Sequence, residues 1–235
     1  TLLANLRAGT VHDTAEHEGL AHFVSRTIDR GTERHSADEL AEQLDSRGVT
    51  LTTSVTRHTL SLACTCLVED LDEVLRLVGE IVMQPAFAGV EVNRRRGEII
   101  TQIGQEEDNP GAVAVEALMS TLYGRAHPYG RRLRGTVERV ERIDRPVLQR
   151  FHAERGVPEG LSLAVVGDIE PARAIDAARS VFGEWRGGTA PEVTQAPRLP
   201  TKGRQCHVVP MMNKSQADVA YGFVTIARQD ACYHV

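Results

Sequence analysis

Apolar residues at Leu20, Phe23, Val24 and Ile28 recur at intervals of three and four, the period of a helix with one buried face, and Gly31 lies where such a helix stops. A second helix follows from Ser36. Its hydroxyl and the Glu39 carboxylate have the spacing of a capping box, and Gly48 marks the far end. From Val49 to Leu67 the β-branched residues Val and Thr dominate around a polar Thr56, Arg57 and His58, which predicts a strand pair or one long bent strand. Helical spacing resumes at Leu71, Val74, Leu75, Val78, Ile81 and Val82 until Pro85 ends it.

A longer helix is predicted from about Val90 to Glu107, with Arg94, Arg95 and Arg96 on its early turns and Ile99, Ile100 and Ile103 beyond. The turn residues Asp108 to Gly111 precede another helix to Leu122, and the loop from Tyr123 to Gly135 holds His127, Pro128, Tyr129 and Gly130. Asp144 and Pro146 open a helix that closes near Gly156. Strands are predicted at Thr1 to Arg7 and Leu161 to Val166, and Pro171 starts a helix that ends around Trp185. Residues 187–203 are rich in Gly, Pro and Thr and read as a linker. Beyond them, His207 to Val209 and Val219 to Ile226 have strand composition but too little chain for an independent core.

With 235 residues, 41% of them apolar, the chain can bury a substantial core. The 27 basic and 32 acidic side chains are interleaved, which argues against nucleic acid or an anionic membrane as partner. All but two of the basic residues, Lys202 and Lys214, are Arg, a skew that reads as codon bias. No apolar run approaches a membrane span, so a soluble protein is expected, with the cytoplasm favoured. The sequence opens inside a predicted strand without Met, which leaves upstream residues and a targeting peptide open. Cys64, Cys66, Cys206 and Cys232 form no C-x-x-C pair; Cys64 and Cys66 would face one side of a strand and read as small buried groups.

The run Gly19, Leu20, Ala21, His22, Phe23, then Gly31 with Thr32, and Gly48 opening a strand carry a family resemblance. So do Asp108, Asn109 and Pro110; His127, Pro128, Tyr129 and Gly130; Gly135 and Thr136; Val165 to Asp168; and Phe182 to Trp185. In this order and spacing the chain resembles the M16 peptidases, the pitrilysin and mitochondrial-processing-peptidase-like family. The resemblance implies an α+β fold, a LuxS/metallohydrolase-like M16 domain with a mainly antiparallel sheet flanked by helices; helix and strand order alone would equally suggest a parallel sheet. It places the M16-like domain at residues 1–186, a linker at 187–203 and the opening strands of a similar domain at 204–235.

Active members carry His-x-x-Glu-His on the first helix and a further glutamate ligand on a later one. Two histidines four apart share a helix face and can reach one zinc ion, while the glutamate deprotonates its water. At these positions the chain has His22, Ser25, Arg26 and, for the distal glutamate, Gln102. The family's additional acidic residue falls at Arg95, and its Asn-Ala pair on the substrate-side strand at Thr52 and Thr53. A permanent guanidinium charge where the dication would sit, and a neutral amide in place of a carboxylate, predict no catalytic residues and no bound metal. His22 alone reads as a packing residue; His12 and His17 do not share its helix face, and a site of His22 with Cys64 and Cys66 is the lesser alternative.

The resemblance therefore implies a non-catalytic M16 half, partnered with a homologous subunit in a hetero- or homodimer, with zinc only in the partner and peptide enclosed between them. A purely structural or assembly subunit is the alternative. Candidate substrate contacts are Thr52, Thr53, His127 and Tyr129, with Thr50 to Val55 as the edge to which a peptide strand could add.

Overall fold

A computed structural model describes residues 1–189, 203–227 and 230–233. The chain divides into two compact units, one of residues 1–103 and 133–194, the other of residues 104–132 and 195–235.

The first unit is organised by β1 (Leu2–Leu6), whose Leu2, Ala4 and Leu6 are buried and alternate with less buried Leu3 and Asn5. β2 (Thr52–Val55) and β3 (Leu60–Cys64) form the predicted strand pair, turned by Thr56 to Thr59. β4 (Leu161–Val165) is the fourth strand. The sheet order is β2-β3-β1-β4 and every pairing is antiparallel, with Leu2 opposite both Cys64 and Val165, and Thr52 opposite Ala63. The antiparallel expectation therefore holds. The hairpin tip also binds the chain leaving β1: the amides of Gly9, Thr10 and Val11 donate to the carbonyls of His58, Thr56 and Arg57.

Helices cover this sheet. α1 (Leu20–Thr27) buries Leu20, Ala21, Phe23 and Val24 and lies against β2, β3 and a later helix of residues Arg145–Arg155. α2 (Ala37–Asp45) begins with the predicted capping box, Ser36 Oγ accepting from the Glu39 amide and Glu39 accepting from the Ser36 amide at 2.8 Å. α3 (Leu71–Met83) buries nine residues and packs on α8 (Pro171–Phe182). α4 (Gly89–Glu107) contributes Val92, Ile99 and Ile103 to the core. α7 (Arg145–Arg155), capped by Asp144, adds Leu148 and Phe151.

A short helix, α6 (Val137–Arg142), was not foreseen: four of its six residues are charged and only Val140 is buried, so one short turn and a half leaves little periodic signal to read. A buried acid on α3 also escapes the periodicity. Glu80, 4% exposed, accepts from His35 Nδ1 at 2.9 Å and from Arg76, with Arg34 at 3.7 Å. Three cationic or hydrogen-bonding partners compensate the burial of its charge.

The second unit holds α5 (Pro110–Tyr123), capped by the Asn109 side chain, and a 3-10 turn at Pro128–Gly130. Arg132 ties Glu107 to Glu116, at 2.6 and 2.9 Å. The strands predicted at His207 to Val209 and Val219 to Ile226 do not form; these described residues make no ladder, and Val208, Val219 and Phe223 are exposed. A strand exists only through a neighbour's backbone, and β-branched composition supplies none. Most of the predicted linker, residues 190–202, lies outside the described residues. Among the described residues no helix is long and apolar enough to cross a membrane.

Two glycines show what sets α1 in place. Gly19, at φ +92°, starts the helix, and a Cβ there would lie 2.3 Å from the Arg134 carbonyl oxygen; Gly48, at φ +64°, faces open space. Replacing Gly19 by Ala is expected to cost more than ~2 kcal/mol, against ~1 kcal/mol for Gly48→Ala, where only the left-handed backbone is penalised. Urea denaturation of both variants measures the difference, and equal losses would contradict the close approach.

Candidate functional site

The residues singled out on the first helix begin from a fixed point. The Gly19 start of α1 carries no side-chain cap of its own. Instead the buried Asp13 carboxylate accepts from the Gly19 amide at 3.0 Å and the Ala21 amide at 2.9 Å. It satisfies two otherwise unpaired helix donors and places negative charge at the positive helix end. Asp13 was missed because it lies six residues before Gly19, outside the spacing that marks a local cap.

One turn into α1, the half-buried His22 has an Nε2 atom that is shielded from solvent and meets no hydrogen-bond partner among the described residues. Burial, together with the charges of Arg134 and Arg26, pushes its pKa down to about 4, so the ring is neutral at pH 7. Ser25 is 1% exposed and its hydroxyl donates to the His22 carbonyl at 2.7 Å. That hydrogen is committed to the helix backbone, and the oxygen has no base beside it.

Arg26 has a buried Nε without an acceptor, and its nearest carboxylate oxygen belongs to Glu98, 3.9 Å away. Glu98 lies on α4 between the two positions the sequence points to: Arg95, Glu98 and Gln102 follow one another at helical spacing on one stripe. Arg95, 8% exposed, donates to Glu98, and Arg94 approaches it at 3.6 Å. Burial pushes the Glu98 carboxyl up, but the Arg95 hydrogen bond and the charges of Arg95, Arg94 and Arg26 outweigh it and hold the group below its ordinary value. Asp29, one turn beyond Arg26, has Arg30 at 3.2 Å; burial leaves its carboxyl raised in spite of Arg30, Arg95 and Arg26. Glu98 escaped the sequence reading because it occupies none of the motif positions.

This donor set does not fit zinc. The residues at the motif positions offer one imidazole and one carboxamide, while Ser25 is bonded into its own helix and Arg26 is a cation. Among the described residues no group of three or more His, Cys, Asp or Glu is placed to hold a metal ion. That includes the alternative of His22 with Cys64 and Cys66. Burial and the neighbouring Cys66 push the Cys64 thiol up to about 11, and burial raises Cys66 as well, so both stay protonated at neutral pH.

Thr52, exposed, and Thr53, half-buried, lie on β2 at the sheet edge, beside α1. These residues, with His22, Ser25, Arg26, Arg95 and Gln102, belong to the first unit; His127 and Tyr129 belong to the second. There, His127 Nδ1 accepts from the Tyr129 amide at 3.1 Å, and the rings of Tyr123, His127 and Tyr129 lie 5.2 Å apart in each pair. His127 thereby caps the turn at Pro128–Gly130.

The family model described as insulinase (peptidase family M16) matches residues 5–137, and that of the peptidase M16 inactive domain matches residues 142–233. An uncharacterized zinc protease of Mycobacterium leprae is 27% identical over 175 residues, covering 74% of this chain and 39% of the relative. The mitochondrial-processing peptidase subunit beta of Bos taurus is 22% identical over 201 residues, covering 86% and 41%. The chain thus spans about two fifths of these relatives. The peptidase M16 inactive domain structure from Pseudomonas fluorescens superposes with a TM-score of 0.77 at 22% identity over 84% of this chain and 48% of that one. Pitrilysin gives 0.72 at 18% identity, over 85% of this chain and 22% of its own. At these identities the two structures show the fold.

The neutral His22 ring makes a pH prediction. Its folded pKa of about 4 lies below the ordinary 6.5, so as pH falls through that interval the unfolded chain takes up the proton first and stability is lost. The loss is complete below about 4 and absent above 6.5. Replacing His22 by Asn is expected to flatten the decline between these limits by on the order of 2 kcal/mol, allowing for solvent at a half-buried ring. Parallel curves for the two proteins in denaturant melts across pH would show that the ring is not held neutral.

Proposed function

Because the chain belongs to peptidase family M16, the insulinase family, we propose that it is a non-catalytic M16 half, the partner of a zinc-bearing M16 subunit, and that it helps enclose and hold peptide substrate. The observation that carries this reading is Arg26. A guanidinium stands at the second histidine position and leans toward Glu98 at 3.9 Å, and the distal carboxylate position is the amide of Gln102. A dication there would meet fixed positive charge and lose two of its three protein ligands. In this reading zinc belongs to the partner alone.

What remains available for peptide is the edge strand. Among the described residues β2 pairs only with β3, through Thr52 to Val55, so its other backbone side can accept an added strand while alternate side chains contact the ligand. Thr52 and Thr53 supply hydroxyls at that edge, and the partner role agrees with a relative that is by name one subunit of a peptidase.

Two measurements test the proposal. Full-length protein purified from zinc-replete medium should carry far less than one zinc per chain, whereas the triple variant Ser25→Glu, Arg26→His, Gln102→Glu should take up about one. Added to a zinc-bearing M16 subunit with which it copurifies, the protein should raise hydrolysis of a quenched peptide. Stable assembly with unchanged hydrolysis would favour the structural reading, and stoichiometric zinc in the unaltered protein would sink the non-catalytic one.

A further inference from the structure

Around His22 the charges do not balance. Glu98 is shared by three guanidiniums, Arg26 at 3.9 Å, Arg94 at 3.6 Å and Arg95 in hydrogen-bond contact, and Asp29 is paired with Arg30. The Arg134 carbonyl packs against Gly19 at the start of the same helix, bringing a fifth arginine to this region. The four guanidiniums of Arg26, Arg94, Arg95 and Arg30 thus share the two carboxylates of Glu98 and Asp29. The mutual repulsion registers at Arg134 itself, whose pKa burial and the Arg26 charge both lower.

Several donors here, along with the Asp29 Oδ1 acceptor, meet no hydrogen-bond partner among the described residues. His22 and Arg26 occupy positions i and i+4 and share a face of α1. The Arg26 guanidinium makes no hydrogen bond among the described residues, since 3.9 Å to Glu98 is beyond hydrogen-bond range. Nε2 of His22 and Nε of Arg26 are both shielded and unpartnered. So is Nε of Arg95, in a residue more than nine-tenths buried. A buried donor without an acceptor is costly, and an acceptor-only group that carries negative charge meets both deficits together.

We propose that this arginine-lined patch, at the positions where M16 relatives carry their metal ligands, is an anion site that takes a carboxylate side chain of a bound peptide. Arg26 is the principal contact, and His22 and Arg95 stand beside it. The inference rests on the peptide-holding reading above and names the class of peptide: acidic. A peptide source is favoured over a free anion because α1, which carries His22 and Arg26, packs directly on edge strand β2, where a peptide backbone could be held. A carboxylate matches the planar guanidinium fork and needs no proton from a ring that is neutral at pH 7.

The test uses the full-length protein and two labelled, end-capped peptides that differ by a single Glu or Gln, with binding read by fluorescence anisotropy. The Glu peptide should bind ~10-fold or more tightly, and the preference should shrink as salt is raised. Arg26→Gln should abolish the preference, weakening the Glu peptide far more than the Gln peptide, and Arg134→Gln, off the helix, should reduce it; thermal melts establish that both variants are folded. Equal affinity for the two peptides, or a preference that survives Arg26→Gln, overturns the carboxylate site and leaves peptide holding intact. Failure of both peptides to bind overturns the two readings together. If inorganic phosphate displaces the Glu peptide at concentrations below that peptide's own Kd, the site is one for phosphate and the assignment to carboxylate falls.

Discussion

Strand β1 is hydrogen-bonded on both sides, and the first unit is assembled around it. Its alternation of Leu2, Ala4 and Leu6 into the core sets the registers of β3 and β4, and through β3 that of β2. The chain leaving β1 is held by the tip of the β2-β3 hairpin and reaches Asp13, whose carboxylate fixes the first turn of α1. Gly19 and Gly135 then let the segment before α6 lie against that turn, since a Cβ at either position would strike the other strand of chain near 2 Å. His22, Ser25 and Arg26 inherit their places from this sequence of constraints. A one-residue slip in β1 would bury Leu3 and Asn5 in place of Leu2 and Ala4 and undo all of them.

The site that results lies at the residues the sequence motif points to and offers different chemistry. Where the family needs two imidazoles and two carboxylates, this chain supplies one imidazole, a hydroxyl bonded to its own helix, a guanidinium and an amide. Glu98 organises the substitutes by gathering Arg26, Arg94 and Arg95. The helices around it still need only the packing of Phe23, Val24, Ile99 and Ile103, so the scaffold and the chemistry are separable.

Most of the scaffold was legible because its signals are local. The Ser36 and Glu39 box, the glycines that end helices, Pro85 and the Val/Thr hairpin each act within a few residues, and each appears as read. What escaped depends on tertiary contact. Asp13 caps a helix from six residues away, Glu80 hides a charge in an apolar face by collecting partners from another loop, and α6 has a single buried residue. The runs at Val208 and Val219 to Phe223 have strand composition and lack a neighbour. In the site, motif counting pointed to Arg26, Arg95 and Gln102 and passed over Glu98, which lies between motif positions and matters only once α1 and α4 are folded.

The neutrality of the His22 ring bears on the environments in which this surface keeps its character. Guanidinium groups hold their protons through the whole biological range, and the imidazole has already surrendered its own by mildly acidic conditions. Near neutral pH the polarity of this face is therefore dictated by its arginines and the carboxylates they share, and ionic strength, which screens such charges, is the variable that modulates it.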